Sequence, residues 1–251
     1  MLIWQHPQHF PELKKSQVHI WRANLDWATL KIETLVKTLS TDELDRANRF
    51  RFVQHKSRFI AARGILRQLL GNYLAVNPSS LRFDYTERGK PLLEPTSKDI
   101  SLEFNLSHSH EYAIFGFTIN RLIGVDIEYQ KTMPEALKIA RRFFSNRESI
   151  MLAELPQEKQ AQLFFQLWTA KEAYLKAIGT GLAGTLSKVE IEVNQDRSLY
   201  FSDLGEDTTF NWCLHSYFPA TNYLGAIAFN THIPVEQINF WCWESQFETI
   251  G

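Results

Sequence analysis

Cysteine is nearly absent: Cys213 and Cys242 are the two thiols in 251 residues, too few and too far apart for a disulfide framework or a CxxC metal site. Their scarcity favours a reducing cytoplasm. A long apolar run is missing too, since nothing approaches the length needed to cross a bilayer. The opening MLIWQHPQHFPELKK lacks the basic start and continuous apolar segment of a signal peptide. A net charge of −1 argues against general nucleic-acid binding. There is no exact repeat, low-complexity tract or Pro/Gly/Ser linker, which argues against tethered, independently moving domains.

What is present is an ordinary globular composition, 44% hydrophobic and 22% charged, in a chain long enough to bury a substantial core. The even charge balance hides one local asymmetry. From Arg46 to Phe83 there are eight basic residues (Arg46, Arg49, Arg51, Lys56, Arg58, Arg63, Arg67 and Arg82) and no acid. Such a segment either keeps a helix face wet or meets an anionic partner, for which a phosphate-rich small ligand or an acidic protein would serve.

Periodicity divides the chain into helix followed by strands, twice. A short strand near Val18–Trp21 precedes STDELDRANRF, whose Ser/Thr start and early acids open a helix. The stripe Phe59, Ile60, Ile65, Leu66, Leu69, Leu70 and Leu74 continues it. LRFDYTERGKPLL reads as a strand into a turn, and FNLSHSHEYAIFGFTIN and RLIGVDIEYQ as two adjacent strands joined around Asn120 and Arg121. PEALKIARRFF, SNRESIMLAELP and EKQAQLFFQLWTAKEAYLKAIG are helical and stop at Gly179 and Gly181. The tail alternates as strands: VEIEV, SLYF, TTFNWCLHSYF, NYLGAIAFN and INFWCW. The pattern predicts an α+β protein of two related, closely packed halves, residues 1–119 and 120–251.

Several residues have chemistry to offer. In GVDIE, Asp126 and Glu128 are two apart on a strand and project from one face. Two like charges there either face water or share a hard cation such as Mg²⁺. In WTAKEAYLKAIGTG, Glu172 and Lys176 share a helix side, either as a surface pair worth about 0.2 to 0.5 kcal/mol or, for Glu172, as a third carboxylate. Apolar neighbours, among them Phe164, Phe165, Leu167, Trp168 and Tyr174, leave little of that helix free to be a casual rim. Ser107 and His108 in FNLSHS lack a glycine-framed nucleophile elbow and suit phosphate better as donors. Lys90, after a tight turn in RGKPLL, is well placed to present an ammonium to an anion.

In order, a basic helical region, GKP, FNLSHS, GVDIE, FFSNRE and WTAKEAYLKAIGTGL resemble the Sfp-type 4′-phosphopantetheinyl transferases over roughly residues 40–182. The resemblance implies transfer of 4′-phosphopantetheine from coenzyme A to a serine of an apo acyl, polyketide or peptidyl carrier protein, with release of adenosine 3′,5′-bisphosphate. It implies two similar α+β subdomains in pseudo-twofold arrangement with the active site between them, in a cytoplasmic monomer. Mg²⁺ is expected on Asp126, Glu128 and Glu172, with Lys176, Lys171, Lys90, Ser107, His108 and Arg58 contacting the phosphates or adenosine of coenzyme A. Glu172, directly or through water, and Lys176 are the expected catalytic residues. One departure stands out: Glu43 and Arg46 occupy positions that are basic in some members, so Arg46 remains a ligand contact and Glu43 does not. Two other functions fit carboxylates around a cation, a coenzyme A-binding protein without turnover and a pyrophosphate hydrolase.

Overall fold

The two strongest helical patterns form the two longest helices. In the computed structural model, which describes residues 2–93, 101–181, 186–194, 198–204, 211–231 and 233–243, α4 (Val53–Leu74) and α7 (Gln157–Ile178) each run 22 residues. A short helix with a capping box precedes each. Before α4 comes α3 (Thr41–Asn48), closed by Ser40 and Glu43, and before α7 comes α6 (Asn146–Ala153), closed by Ser145 and Glu148. A cap of this kind satisfies two N–H groups that the first helical turn leaves open. α7 ends at Gly179, whose φ of +75° needs no Cβ.

Around these helices the chain runs through one order of elements twice. First come β1 (Val18–Asn24), the short α1 (Leu25–Ala28) and α2 (Ile32–Val36), then α3, α4, β2 (Phe83–Tyr85), β3 (Pro91–Leu93), β4 (Leu102–Ser109) and β5 (Tyr112–Ile119). Next come β6 (Ile123–Tyr129), α5 (Ala136–Phe143), α6, α7, β7 (Glu190–Val193), β8 (Leu199–Asp203), β9 (Trp212–Tyr217) and β10 (Tyr223–Asn230). β2 pairs with β3 and β7 with β8, while the larger sheets are ordered β11-β1-β5-β4 and β6-β10-β9. The middle strand of each triplet is the last of its series. A final strand, β11 (Ile238–Cys242), returns to pair in parallel with β1, so a division at residues 119/120 leaves one strand on the other half's sheet.

Two sequence readings need correction. The segment from Phe104 to Asn120 is two strands, because His110 adopts a positive φ of 50° and turns β4 back into β5. β6 does not ladder with β5; its hydrogen bonds go to β10. Of TTFNWCLHSYF, residues 208–210 lie outside the described residues, as does Leu182 at the end of the matched motif.

α7 lies unusually close to its sheet. Gly124 faces it, and a Cβ there would meet the Ala173 carbonyl oxygen at 1.9 Å, so only glycine admits this approach. Small buried residues on the helix, Ala170, Ala173 and Ala177, serve the same end. The first helix packs instead on aromatic bulk, with Ile65, Leu66 and Leu69 against Trp21, Phe115 and Phe117. No described helix is long and apolar enough to cross a membrane.

Candidate active site

β4 and β6 are outer strands of different sheets, and side chains of β4 close the seam between them. Asn105 Oδ1 accepts from the Val125 amide at 2.9 Å. Ser107 Oγ donates to Asp126 Oδ1 at 2.9 Å. Ser109 Oγ donates to Glu128 Oε2 and accepts from the Tyr129 amide, both at 3.1 Å. Residues two apart on a strand share a face, so Asn105, Ser107 and Ser109 act as one row. FNLSHS is thus the partner of GVDIE, and its period of two was the signal that could have identified Asn105 and Ser109.

α7 supplies the third side. Lys176 Nζ lies 2.6 Å from Asp126 Oδ1 and donates to Ser107 Oγ at 2.9 Å. Asp126 is buried, and its Oδ2 has no hydrogen-bond partner among the described residues. Glu172 sits one helical turn before Lys176. Burial and then the negative charges of Asp126 and Glu128, only partly offset by Lys176, push its carboxyl up to about 7. Burial and Asp126 also raise Glu128. Glu128 and Glu172, both raised beside Asp126, mark a cluster of closely spaced carboxylates.

Beside them, a cleft of about 320 Å³ opens between α3, α4, the β2–β3 turn, β4 and the end of α7. Its charged lining is cationic: Arg46, Arg63, Arg88, Lys90 and Lys176, with His108 among them. His108 is exposed to the cleft but closely surrounded by its walls, so burial, and then Lys176, Arg46 and Arg58, hold its ring below the ordinary histidine range. Five cations around a neutral imidazole make a surface suited to a polyanion.

Not every expected residue lines this space. Lys171 is fully buried, bridged to Glu148 at 2.7 Å and donating to the Leu186 and Val189 carbonyls. The expectation that it contacts phosphate is therefore corrected. Successive helical residues lie about 100° apart, so when Glu172 faces the seam Lys171 faces the core, and its three donors are all engaged. Arg58 makes a two-pronged contact with Asp26, 2.7 Å at both ends, and its charge also reaches His108 in the cleft. Lys90 lines the cleft, yet its Nζ donates to the Ala177 carbonyl at 2.7 Å, tying the turn to the end of α7. Glu43 points inward, between Arg63 and Arg67.

The residues suit a hard cation. An unpartnered buried carboxylate oxygen on Asp126 and two neighbouring carboxyls with raised proton affinity are what such an ion would relieve. As placed, with Lys176 on Asp126, the side chains do not converge: among the described residues no three His, Cys, Asp or Glu groups surround one point.

Residues 122–228 match the family model described as the 4′-phosphopantetheinyl transferase superfamily, and residues 26–118 that of the 4′-phosphopantetheinyl transferase N-terminal region. The 4′-phosphopantetheinyl transferase HetI of a Nostoc species is 42% identical over 216 residues, covering 86% of this chain and 89% of that protein. The chain belongs to the 4′-phosphopantetheinyl transferase superfamily. Within that superfamily it is also 32% identical to the 4′-phosphopantetheinyl transferase Sfp of Bacillus subtilis, over 65% of this chain and 70% of Sfp. Among solved structures, a holo-(acyl-carrier-protein) synthase from Bacillus anthracis aligns with 44% of this chain and 96% of its own, at 20% identity and a TM-score of 0.38.

Proposed function

We propose that this chain transfers the 4′-phosphopantetheine group of coenzyme A to a serine hydroxyl of an apo carrier protein and releases adenosine 3′,5′-bisphosphate. The observation that carries the reading is a cation-lined cleft abutting the carboxylates of Asp126, Glu128 and Glu172, in a chain of this superfamily. The serine oxygen forms a bond to the β-phosphorus, and the bond from that phosphorus to the oxygen bridging to the α-phosphate breaks. The proton goes to Glu172, directly or through a water. Lys176, Lys90 and Arg46 neutralise the phosphates, His108 helps to orient them, and Ser107 holds the Lys176 ammonium beside Asp126. Asp126, Glu128 and Glu172 would hold Mg²⁺, which when bound would supply charge neutralisation at the pyrophosphate. We read the chain as a cytoplasmic monomer, a reading supported by the scarcity of cysteine and by the presence of both family-matched segments in one chain.

Incubation with coenzyme A, Mg²⁺ and a panel of apo acyl, polyketide and peptidyl carriers is expected to add one phosphopantetheine to at least one carrier, read by mass spectrometry. No modified carrier across the panel refutes the assignment. Cleavage of coenzyme A without a carrier would point to a pyrophosphate hydrolase instead.

A further inference from the structure

Two hydroxyls of β4 meet two carboxylates of β6 across the seam, Ser107 with Asp126 and Ser109 with Glu128. The pairs are not equally secured. Asp126 is buried and held from two sides, by Ser107 Oγ and by Lys176 Nζ, both on Oδ1. Glu128 is half-buried and one methylene longer, and Ser109 Oγ, at 3.1 Å, is the one hydrogen-bond donor recorded to it among the described residues.

Ser109 is itself fixed. Its Oγ accepts from the Tyr129 amide at 3.1 Å, and a hydroxyl that accepts there keeps its single hydrogen for the carboxylate. It ends β4, where His110 turns the chain with a φ of 50° and lays its ring on that of Tyr129, 4.7 Å between centroids and 18° between planes. Tyr129 is backed in turn by the Tyr223 ring at 5.2 Å. A side chain locked in this way by its neighbours can hold another in one orientation.

Each serine engages one oxygen of its acid and leaves the other. Asp126 Oδ2 has no hydrogen-bond partner, and no hydrogen bond to Glu128 Oε1 is recorded, among the described residues. A hard cation that takes few protein ligands can use one oxygen from each acid, and a hydrogen bond to the far side of a ligating carboxylate orients it for the ion. We infer that Ser109 is the positioning residue for Glu128: by holding Oε2 it leaves Oε1 for the cation shared with Asp126, and so sets the affinity for that cation. This rests on the transferase reading above and its Mg²⁺ assignment.

Mn²⁺ in place of Mg²⁺ gives a readout apart from turnover. Electron paramagnetic resonance of free Mn²⁺, with the protein and coenzyme A but no carrier, measures the ion bound beyond what coenzyme A binds alone; carrier modification separately gives the half-saturating Mg²⁺. Ser109→Ala is expected to weaken Mn²⁺ binding about tenfold and to raise half-saturating Mg²⁺ by the same factor. The kcat at saturating Mg²⁺ and KM for coenzyme A should stay within about twofold of the parent. Ser109→Thr keeps the hydroxyl and should stay near the parent, while Ser109→Val, of the same shape without the hydroxyl, should match Ser109→Ala. In the Glu128→Gln background, Ser109→Ala should weaken Mn²⁺ no further. Unchanged Mn²⁺ affinity in Ser109→Ala, equal losses in the Thr and Val variants, or a further loss in the Glu128→Gln background overturns the proposal and leaves Ser109 a fastener of the seam. If Ser109→Ala fails to fold, the Thr and Val pair decides. Failure of all transfer by the parent protein refutes the transferase reading while the Mn²⁺ titration still tests Ser109; failure of the parent to bind Mn²⁺ refutes the metal assignment and this proposal with it.

Discussion

The two halves place the same device in the same position and put different chemistry beside it. Arg67 and Lys171 both stand fourteen residues after the start of a 22-residue helix, and each pairs with the capping-box glutamate of the helix before, Glu43 or Glu148. The next residue is Gln68 in α4 and Glu172 in α7; four further on, Asn72 stands opposite Lys176. Aligning the strands by their pairing, Asn24 to Tyr112 and Tyr129 to Tyr223, sets Trp21 against Asp126 and Ala23 against Glu128. In the first half these positions build a core, where Trp21 Nε1 donates to the Tyr73 hydroxyl at 2.7 Å. In the second they build the carboxylate site. A buried ion pair that reaches from within the long helix to the helix before it is common to both and so belongs to the scaffold, whereas the proposed chemistry rests on four positions that differ between the halves.

The largest expected effect sharpens that contrast. Asp126→Ala and Glu172→Gln should lower carrier modification by a thousandfold or more while circular dichroism stays native, as expected where charge stabilisation dominates the rate. Gln68→Ala, at the matching place, should leave turnover within about twofold. Comparable losses in both halves would end the claim that only one carries the chemistry.

Next in size is the shared ion pair. Glu148→Ala strands the Lys171 ammonium in the core and should cost about 3 kcal/mol in urea unfolding, near the low end because burial already favours its neutral form. Glu43→Ala should cost more, since an arginine cannot shed its proton. The reverse order would show that the two pairs are not equivalent.

Gly124→Ala tests the close packing peculiar to the second half. The added methyl meets backbone at 1.9 Å and should cost about 2 kcal/mol, with a drop in turnover as α7 moves Glu172 and Lys176 away from Asp126. Unchanged melting temperature and rate would mean that the helix yields without consequence.

The smallest effect is in pH. In the metal-free protein Glu172 titrates at about 7 instead of 4.5, so between these values the folded state holds a proton that the unfolded chain has released. Its contribution to stability is full below pH 4.5 and is lost as pH rises through 7. Glu172→Gln should remove this decline from the metal-free melting curve, and Mg²⁺ should raise the parent's melting temperature more at pH 8 than at pH 6. A Mg²⁺ shift independent of pH would separate Glu172 from the metal.

Much of this was legible in the chain. Helix stripes in α4 and α7, Gly179 as a stop, and the tail strands all appear where their periodicity put them, because each rests on contacts within a few residues. The carboxylates were visible by type and spacing. What the chain did not show was orientation and pairing: Lys171 and Arg58 were expected at the phosphates or adenosine from the family resemblance alone. Nothing local reveals that Glu148 lies 2.7 Å from the one or that Asp26 has claimed the other.

Taken alone, the sequence determined the α+β class, the helix and strand segments, the family and the residues able to hold a cation or a phosphate, since all of these are properties of local pattern and residue chemistry. Only the tertiary structure decided which charged groups are available to a ligand. A buried charge must find a partner, and those partners, Glu43 for Arg67 and Glu148 for Lys171, come from segments brought together by packing. The cleft's character is therefore set by the cations left facing it after the core has taken its share, a selection that distances in space make and order along the chain does not record.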